Sequence, residues 1–67
     1  MKNRLKEYRQ KLNMTQGEMA VFLGANREQV NRWENQRLQP DIETLFKIWK
    51  KLKAKFPDIN LQDLLGE

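Results

Sequence analysis

The sequence predicts an all-α fold in which five helices form one small domain. Strong helix formers dominate its 67 residues, and only three Gly and two Pro interrupt them. Residues with branched β-carbons are few and scattered, so no segment shows the alternation of apolar and polar side chains that is typical of a half-buried strand. A chain of this length buries only about 60% of the surface that it exposes when unfolded. We therefore expect a single domain over residues 1–67 with an economical core.

The first two helices are predicted from their sequence periodicity and their ends. The first helix is expected over about Asn3–Leu12. Thr15, followed three places later by Glu18, is typical of a capping box, in which the two side chains accept hydrogen bonds from backbone N–H groups that the first turn leaves unpaired. The second helix should run to Leu23 and end at Gly24, because glycine readily adopts the left-handed conformation that closes a helix.

The third helix follows after a very short connection. Asn26, with Gln29 three places later, forms a second predicted capping box, and the helix should reach Glu34 or Asn35. Because only residues 24–26 separate it from the second helix, the two helices must pack at a steep angle.

Two further helices complete the predicted fold. Asp41 is the expected cap of the fourth helix, lysines near its end complement the helix dipole, and Pro57 marks its stop. Asn60, with Asp63 three places later, begins a short final helix that should end at Gly66.

The residue types that the sequence lacks exclude the commonest kinds of catalytic and metal-binding site. The sequence contains no His, Cys or Ser, so a Ser or Cys nucleophile activated by His cannot be built, and the commonest metal ligands are absent. We expect no enzyme activity, metal, cofactor or small-molecule substrate. The longest apolar run has five residues, over 19–23, which predicts no membrane partner and a cytoplasmic location. A net charge of +4 favours a polyanionic partner.

The third helix has two different faces. At 100° per residue, Val30 and Trp33 fall on one side. The other side carries groups that can pair with base edges: Glu28, Asn31, Arg32 and Asn35, with Arg27 at its flank. Arg matches guanine, a carboxylate accepts from cytosine, and an amide pairs with adenine. Taken alone, the same face is better explained as a solvated surface on which Glu28 and Arg32 form an ordinary pair.

A wider pattern favours the first explanation. The residues concerned lie in the second helix, the third helix and the loop beyond: Thr15, Gln16, Gly17, Glu18, Met19, Ala20, Leu23, Gly24, Val30, Arg32, Trp33, Glu34, Asn35 and Pro40. This segment resembles the helix-turn-helix of the phage repressor and Cro family, also called the XRE family. The resemblance implies a sequence-specific, double-stranded-DNA-binding transcriptional regulator, a repressor or Cro-like protein, with a recognition helix over about 27–34 in the major groove.

The resemblance also implies roles for individual residues. Those expected to read bases are Arg27, Glu28 and Arg32, which match the family's base-reading positions, and Asn31, which shares their face. Those expected to contact phosphate are Gln16, Asn35 and Arg37. Arg9 and Glu34 match a structural ion pair that ties the first helix to the end of the third.

Two departures from the family's pattern leave questions open. Gln36 stands where a glycine usually follows Asn35, so the left-handed turn must be made by Asn35 or built differently. Trp49 occupies a site that is usually small, and Phe46 widens the apolar stripe of the fourth helix. A larger core and a dimer surface explain these two aromatic residues equally well.

The partner expected from the family is DNA bound by a homodimer on a two-fold related operator. The candidates for the dimer interface are the apolar residues near the end of the chain and one aromatic residue: Ile59, Leu61, Leu64, Leu65 and Trp49. Two alternatives stay open. The same residues, with Phe46, would suit a protein-interaction module such as an antitoxin, and the chain would also suit the DNA-binding head of a longer two-domain repressor.

Overall fold

The computed structural model describes residues 2–65, which form four α-helices followed by one 3₁₀ turn. The α-helices are α1 (Leu5–Lys11), α2 (Gln16–Leu23), α3 (Arg27–Glu34) and α4 (Ile42–Lys53), and the 3₁₀ turn spans Leu61–Leu64. Residues 2–65 contain no β-strand, only an isolated antiparallel bridge. The all-α class is therefore confirmed, whereas the count of five helices is not.

Local hydrogen bonds begin α2 and α3 where the sequence predicts. In α2, Glu18 N–H donates to Thr15 Oγ1 at 3.1 Å, and Thr15 N–H donates back to Glu18 Oε1 at 2.8 Å. The same reciprocal pair joins Asn26 and Gln29 at the start of α3. Gly24 closes α2 with φ of 71°, in the left-handed region that disfavours other residues.

The hydrophobic core lies where α2, α3 and α4 meet, closed by α1 on one side and by the C-terminal segment on another. Each α-helix contributes at least one buried apolar side chain, and so does the segment after α4. The buried apolar residues are Leu5, Met19, Ala20, Leu23, Val30, Trp33, Leu45, Ile48, Leu52, Ile59 and Leu64. This core fixes α3 against α2 and leaves the polar side of α3 outside.

The predicted first helix is too long at its start. Residues 3 and 4 precede α1, and Asn3 forms the bridge to Leu65. The Asn3 side chain accepts from Leu5 N–H at 3.1 Å and donates to Trp33 O at 2.9 Å. These contacts hold Asn3 outside the helix, because its groups already have partners at the other end of the chain.

The predicted end of the fourth helix at Pro57 is wrong by several residues. The helix ends at Lys53, where Lys55 N–H bonds back to Leu52 O at 2.9 Å in a tighter, 3₁₀-like turn. Trp49 Nε1–H then donates to Ile59 O at 3.1 Å and holds the returning chain against α4.

The predicted final helix is a single 3₁₀ turn rather than an α-helix. Its capping box of Asn60 and Asp63 is present, but the backbone is already extended at Leu65, with ψ of 136°. Leu65 is held by its bridge to Asn3, which prevents the helix from continuing. The predicted end at Gly66 lies outside the described residues.

The left-handed turn after α3 is made by Gln36 and not by Asn35. Asn35 has φ of −87° and ψ of 6°, whereas Gln36 has φ of 60°. Long side chains rarely adopt this conformation, which costs about 1–2 kcal/mol for an L-residue other than glycine. It is maintained here by hydrogen bonds from the Gln36 side chain to a distant segment, described below.

Candidate nucleic-acid interface

The outward face of α3 forms the centre of the candidate site. Val30 and Trp33 are buried beneath the helix, while Glu28, Asn31 and Arg32 are exposed. The capping box at the N-terminus of α3 and the core packing of its apolar side hold the helix in one orientation. The polar side chains predicted to read bases therefore project together from a rigid support.

A buried ion pair joins α1 to the end of α3. Arg9 Nε donates to Glu34 Oε2 at 2.6 Å and Arg9 Nη2 donates to Glu34 Oε1 at 3.0 Å, a bidentate geometry. The Glu34 side chain is 1% exposed and that of Arg9 is 15% exposed. Arg9 Nη1 also donates to Met14 O at 2.9 Å, so the guanidinium ties the connection between α1 and α2 to the same point. The contact is well suited to a structural role.

A chain of amide contacts runs from this ion pair to the outward face of α3. Gln16 Nε2 donates to Glu34 Oε1 at 3.2 Å, and Gln16 Oε1 accepts from Asn31 Nδ2 at 3.3 Å. Asn31 Oδ1 in turn accepts from Asn35 Nδ2 at 3.2 Å. Gln16, at the start of α2, is thus fixed in orientation by both neighbours and supports Asn31 from below.

Two of the arginines border different depressions beside α3. Arg27 lines an open depression with Gln16, Gly17 and Arg9, at the start of α2. Arg37 lines another, whose other members lie on α3 or just after it: Glu28, Asn31, Arg32 and Leu38. Arg27 therefore lies on the α2 side of α3, and Arg37 lies beside the outward face of α3.

Glu28 and Arg32 form the pair that their spacing suggests. Arg32 Nη2 donates to Glu28 Oε1 at 2.5 Å, and both side chains are more than half exposed. A guanidinium carries five N–H groups, so this contact leaves several of them available for a nucleic-acid base. The pair holds the Arg32 guanidinium on the outward face of α3 and leaves some of its N–H groups free to donate.

The expectation that Ile59 and Leu64 lie on an exposed apolar surface is wrong. Both residues are buried in the core, because the C-terminal segment folds back onto α4. Leu61, Leu65 and Trp49 are partly buried against the same core. Of the five residues that the sequence suggests for a dimer contact, only Leu61, Leu65 and Trp49 keep exposed surface.

Of the four large apolar side chains that are exposed within residues 2–65, two lie on α4, and the others are Val21 and Leu38. Ile42 is 61% exposed and Phe46 is 42% exposed, and with Trp49 they occupy positions i, i+4 and i+7 of one helix face. The Phe46 and Trp49 rings meet edge to face, with centroids 6.2 Å apart, and Lys53 Nζ lies 4.8 Å from the Trp49 centroid. Trp49 thus serves the core through its hydrogen bond to Ile59 O and borders this exposed stripe as well.

Sequence reasoning missed a group of amide side chains at the end of α3. Asn3 bonds to Gln36 and to Gln39 across more than thirty residues of sequence, and Gln39 bonds to Gln36 three residues away. The signal that could have drawn attention to them is Gln36 itself, since a long polar side chain at a site that suits glycine needs a compensating contact.

No metal-binding cluster of His, Cys, Asp or Glu is present in the part of the chain that the structure describes. Over the same part, none of the helices has the length and apolar character needed to cross a membrane.

Comparison with known proteins agrees with this geometry. The sequence profile of the Helix-turn-helix family matches residues 5–59. The chain is 38% identical over 63 residues to an uncharacterised HTH-type transcriptional regulator of Archaeoglobus fulgidus, a match that covers 94% of this chain and 89% of the relative. A regulator described in the same words from Methanocaldococcus jannaschii is 39% identical over 59 residues, covering 88% of this chain and 89% of the relative.

A second Archaeoglobus fulgidus protein of the same description is 32% identical over 63 residues, covering 94% of this chain and 90% of the relative. The family profile and these relatives extend over α2, α3 and the elements that support them. The chain therefore belongs to the XRE-type helix-turn-helix family, as a DNA-binding transcriptional regulator and not an enzyme.

Proposed function

We propose that this protein is a sequence-specific repressor or Cro-like regulator, a single helix-turn-helix domain that places residues 27–34 in the major groove of double-stranded DNA. The observation that carries the proposal is the composition of the outward face of α3. Glu28, Asn31 and Arg32 project from one rigid helix, and each offers hydrogen-bonding groups that match a base edge.

The base-reading roles follow from the chemistry of each side chain. Arg32 presents its remaining N–H groups to guanine O6 and N7, and Glu28 both orients Arg32 and accepts from cytosine N4. Asn31, steadied by Gln16, offers its amide to a base edge. Arg27 reaches bases at the edge of the half-site, on the side of the depression at the start of α2.

The phosphate-contacting roles fall to residues on both sides of the recognition helix. Gln16 carries two N–H groups on Nε2, of which Glu34 takes one, and the other is suited to a phosphate oxygen. Asn35 and Arg37 lie beyond α3 and are suited to the backbone on the opposite side. Such contacts set the register of the protein on the duplex without reading sequence.

A homodimer would give the two-fold operator arrangement that the resemblance implies. The apolar stripe of Ile42, Phe46 and Trp49 is the surface that we assign to this contact. Helix α4 begins with acidic residues and ends with lysines, so two copies packed antiparallel would bring opposite charges together. Recognition helices about 34 Å apart would then meet successive turns of the same DNA face.

The experiment that tests the function is selection of binding sites from random double-stranded DNA. We expect an enriched half-site with at least one G·C pair, repeated with two-fold symmetry one helical turn apart. A mobility-shift titration of the selected duplex against a scrambled duplex of the same length measures specificity. Failure to enrich any sequence would contradict the proposal and would favour a protein-interaction module.

A further inference from the structure

The N-terminal segment is fastened to the turn after the recognition helix. Asn3 N–H donates to Gln36 Oε1 at 3.0 Å, and Gln36 Nε2 donates to Asn3 O at 3.1 Å. One side-chain amide thus bonds both backbone groups of a single residue, as a neighbouring strand would. Gln39 Nε2 donates to Gln36 Oε1 at 3.1 Å, and Asn3 Nδ2 donates to Trp33 O at 2.9 Å. We call this group of contacts the amide latch.

The amide latch explains the conformation of Gln36. A glycine would form the left-handed turn without strain, so the turn itself does not require a glutamine. What a glutamine adds is a side chain that reaches the backbone of Asn3, 33 residues earlier in sequence. The strained backbone of Gln36, with φ of 60°, is therefore coupled to the position of the N-terminal segment.

The amide latch brings a cation close to the proposed DNA backbone contacts. Gln36 lies between Asn35 and Arg37 in sequence, and its side chain holds the residue that directly follows Lys2. Lys2 is exposed, and its ammonium sits on a flexible four-carbon stem. The two bonds from the Gln36 side chain to the backbone of Asn3 therefore restrict where Lys2 can lie relative to the turn after α3.

We propose that Gln36 is a positioning residue that holds the N-terminal segment so that Lys2 contacts the DNA phosphates beside Asn35 and Arg37. The inference rests on the proposed function, since it names a further contact of the same site. The partner group is a phosphate of the duplex backbone, and the contact is independent of base sequence.

The test is a double-mutant cycle that is read through the salt dependence of DNA affinity. Each neutralised phosphate contributes about 0.9 to the slope of log affinity against log salt on B-DNA. Lys2→Gln should therefore lower the magnitude of this slope by roughly one unit per monomer, on the selected and on the scrambled duplex alike. In the Gln36→Gly background, the turn is kept but both bonds from residue 36 to the backbone of Asn3 are lost. The same substitution should then change the slope by much less.

The matched control is Lys55→Gln, which removes the same charge from an exposed site in the turn after α4. Lys55 borders a depression whose lining includes no residue of α3 or of the turn after it. It should leave the slope unchanged in both backgrounds. Gln36→Asn serves as a second variant, because asparagine tolerates the left-handed conformation but has a side chain one methylene shorter. Circular dichroism melts verify that each variant is folded.

The outcomes separate the inference from the function. An unchanged slope for Lys2→Gln in the otherwise unmodified protein would overturn the contact. If Lys2→Gln changed the slope equally in the unmodified protein, in the Gln36→Gly background and in the Gln36→Asn background, the positioning role of Gln36 would be overturned. In both cases specific DNA binding persists, so the proposed function stands. Failure of the unmodified protein to bind either duplex would overturn both.

Discussion

Glu34 shows how one residue can organise a small DNA-binding domain. It is a carboxylate almost wholly removed from solvent, and every contact that it makes has a structural consequence. Arg9 ties it to α1, and Gln16 ties it to the start of α2. A buried carboxylate is tolerated only when its oxygens are paired, so these partners are as necessary to the fold as the apolar core.

We expect Arg9→Ala to destabilise the protein by about 3–5 kcal/mol, because it leaves the Glu34 carboxylate buried without its cation. Urea denaturation measures the change in the free energy of unfolding. Arg32→Ala is the matched control, since it breaks an exposed pair within one helix and should cost less than about 0.5 kcal/mol. A loss below about 1 kcal/mol for Arg9→Ala would show that the pair does not stabilise the fold as argued.

The two arginines nearest the outward face of α3 should leave different signatures on DNA binding. Arg32→Ala should weaken specific binding by about 1–3 kcal/mol and relax the preference at one base pair. Arg37→Ala should weaken all sequences alike and reduce the salt slope by roughly one unit per monomer. Mobility-shift titrations on selected and scrambled duplexes separate the two. If Arg32→Ala lowered the affinity for both duplexes equally, Arg32 would be a contact to the DNA backbone. The base-reading role would then be wrong.

At the scale of elements, the helices are defined by short polar contacts at their starts and by packing elsewhere. The capping side chains of α2, α3 and α4 each accept from the backbone N–H three residues later. These bonds satisfy groups that the first turn cannot, and they fix where each helix begins. The C-terminal end of α4 is less local, since the chain beyond Lys53 is held against the helix by the bond from Trp49 to Ile59 O.

The cap of α4 makes helix stability dependent on pH. The Thr44 backbone N–H donates to Asp41 at 2.8 Å, and this bond is the main reason that the pKa of Asp41 lies below its ordinary value of 3.8. Because the folded pKa is lowered, the cap stabilises the protein above about pH 3.8, and this contribution is lost as the pH falls through the folded pKa.

We therefore expect the melting temperature of the unmodified protein to fall more steeply between about pH 5 and pH 2 than that of Asp41→Asn. Asparagine is an equally good N-cap but does not titrate in this range, so the two proteins should melt at similar temperatures near neutral pH. Thermal melts followed by circular dichroism across this range make the comparison. Parallel curves would show that protonation of Asp41 does not weaken the cap.

At the scale of the whole molecule, the surface carries an outward polar face on α3 and an apolar stripe on α4. Core burial accounts for the apolar residues of the C-terminal segment, which removes Ile59 and Leu64 from the candidates for a dimer contact. The stripe of Ile42, Phe46 and Trp49 is the surface that we propose for contact with a second copy. A two-fold interface buries the same residues on both protomers, so one substitution alters both sides of the contact.

Phe46→Glu should therefore weaken the proposed dimer by about 2 kcal/mol or more, because it places two like charges in an apolar contact. Val21→Glu is the matched control, since Val21 is 83% exposed but lies on α2, outside the stripe. Sedimentation equilibrium measures the association of both variants, and melts verify their folding. Equal association by Phe46→Glu and the unmodified protein would place the dimer contact elsewhere.

Much of this protein follows from contacts between residues close in sequence. The capping boxes of Thr15 with Glu18 and of Asn26 with Gln29 are confirmed, as is the closing glycine of α2. The separation of buried and exposed sides of α3 follows from its periodicity alone. These features could be predicted because each is complete within one or two helical turns.

Other features depend on which distant segments the fold brings together. Gln36 adopts the left-handed conformation because Asn3 lies beside it, and the sequence between them carries no sign of that contact. Ile59 and Leu64 are buried because the chain folds back onto α4, although their spacing fits an exposed surface equally well. Local hydrogen bonds are thus determined by the sequence of a few residues. Burial and long-range polar pairing are decided by tertiary packing, because several partners fit the sequence pattern equally well and only the fold brings one of them into contact.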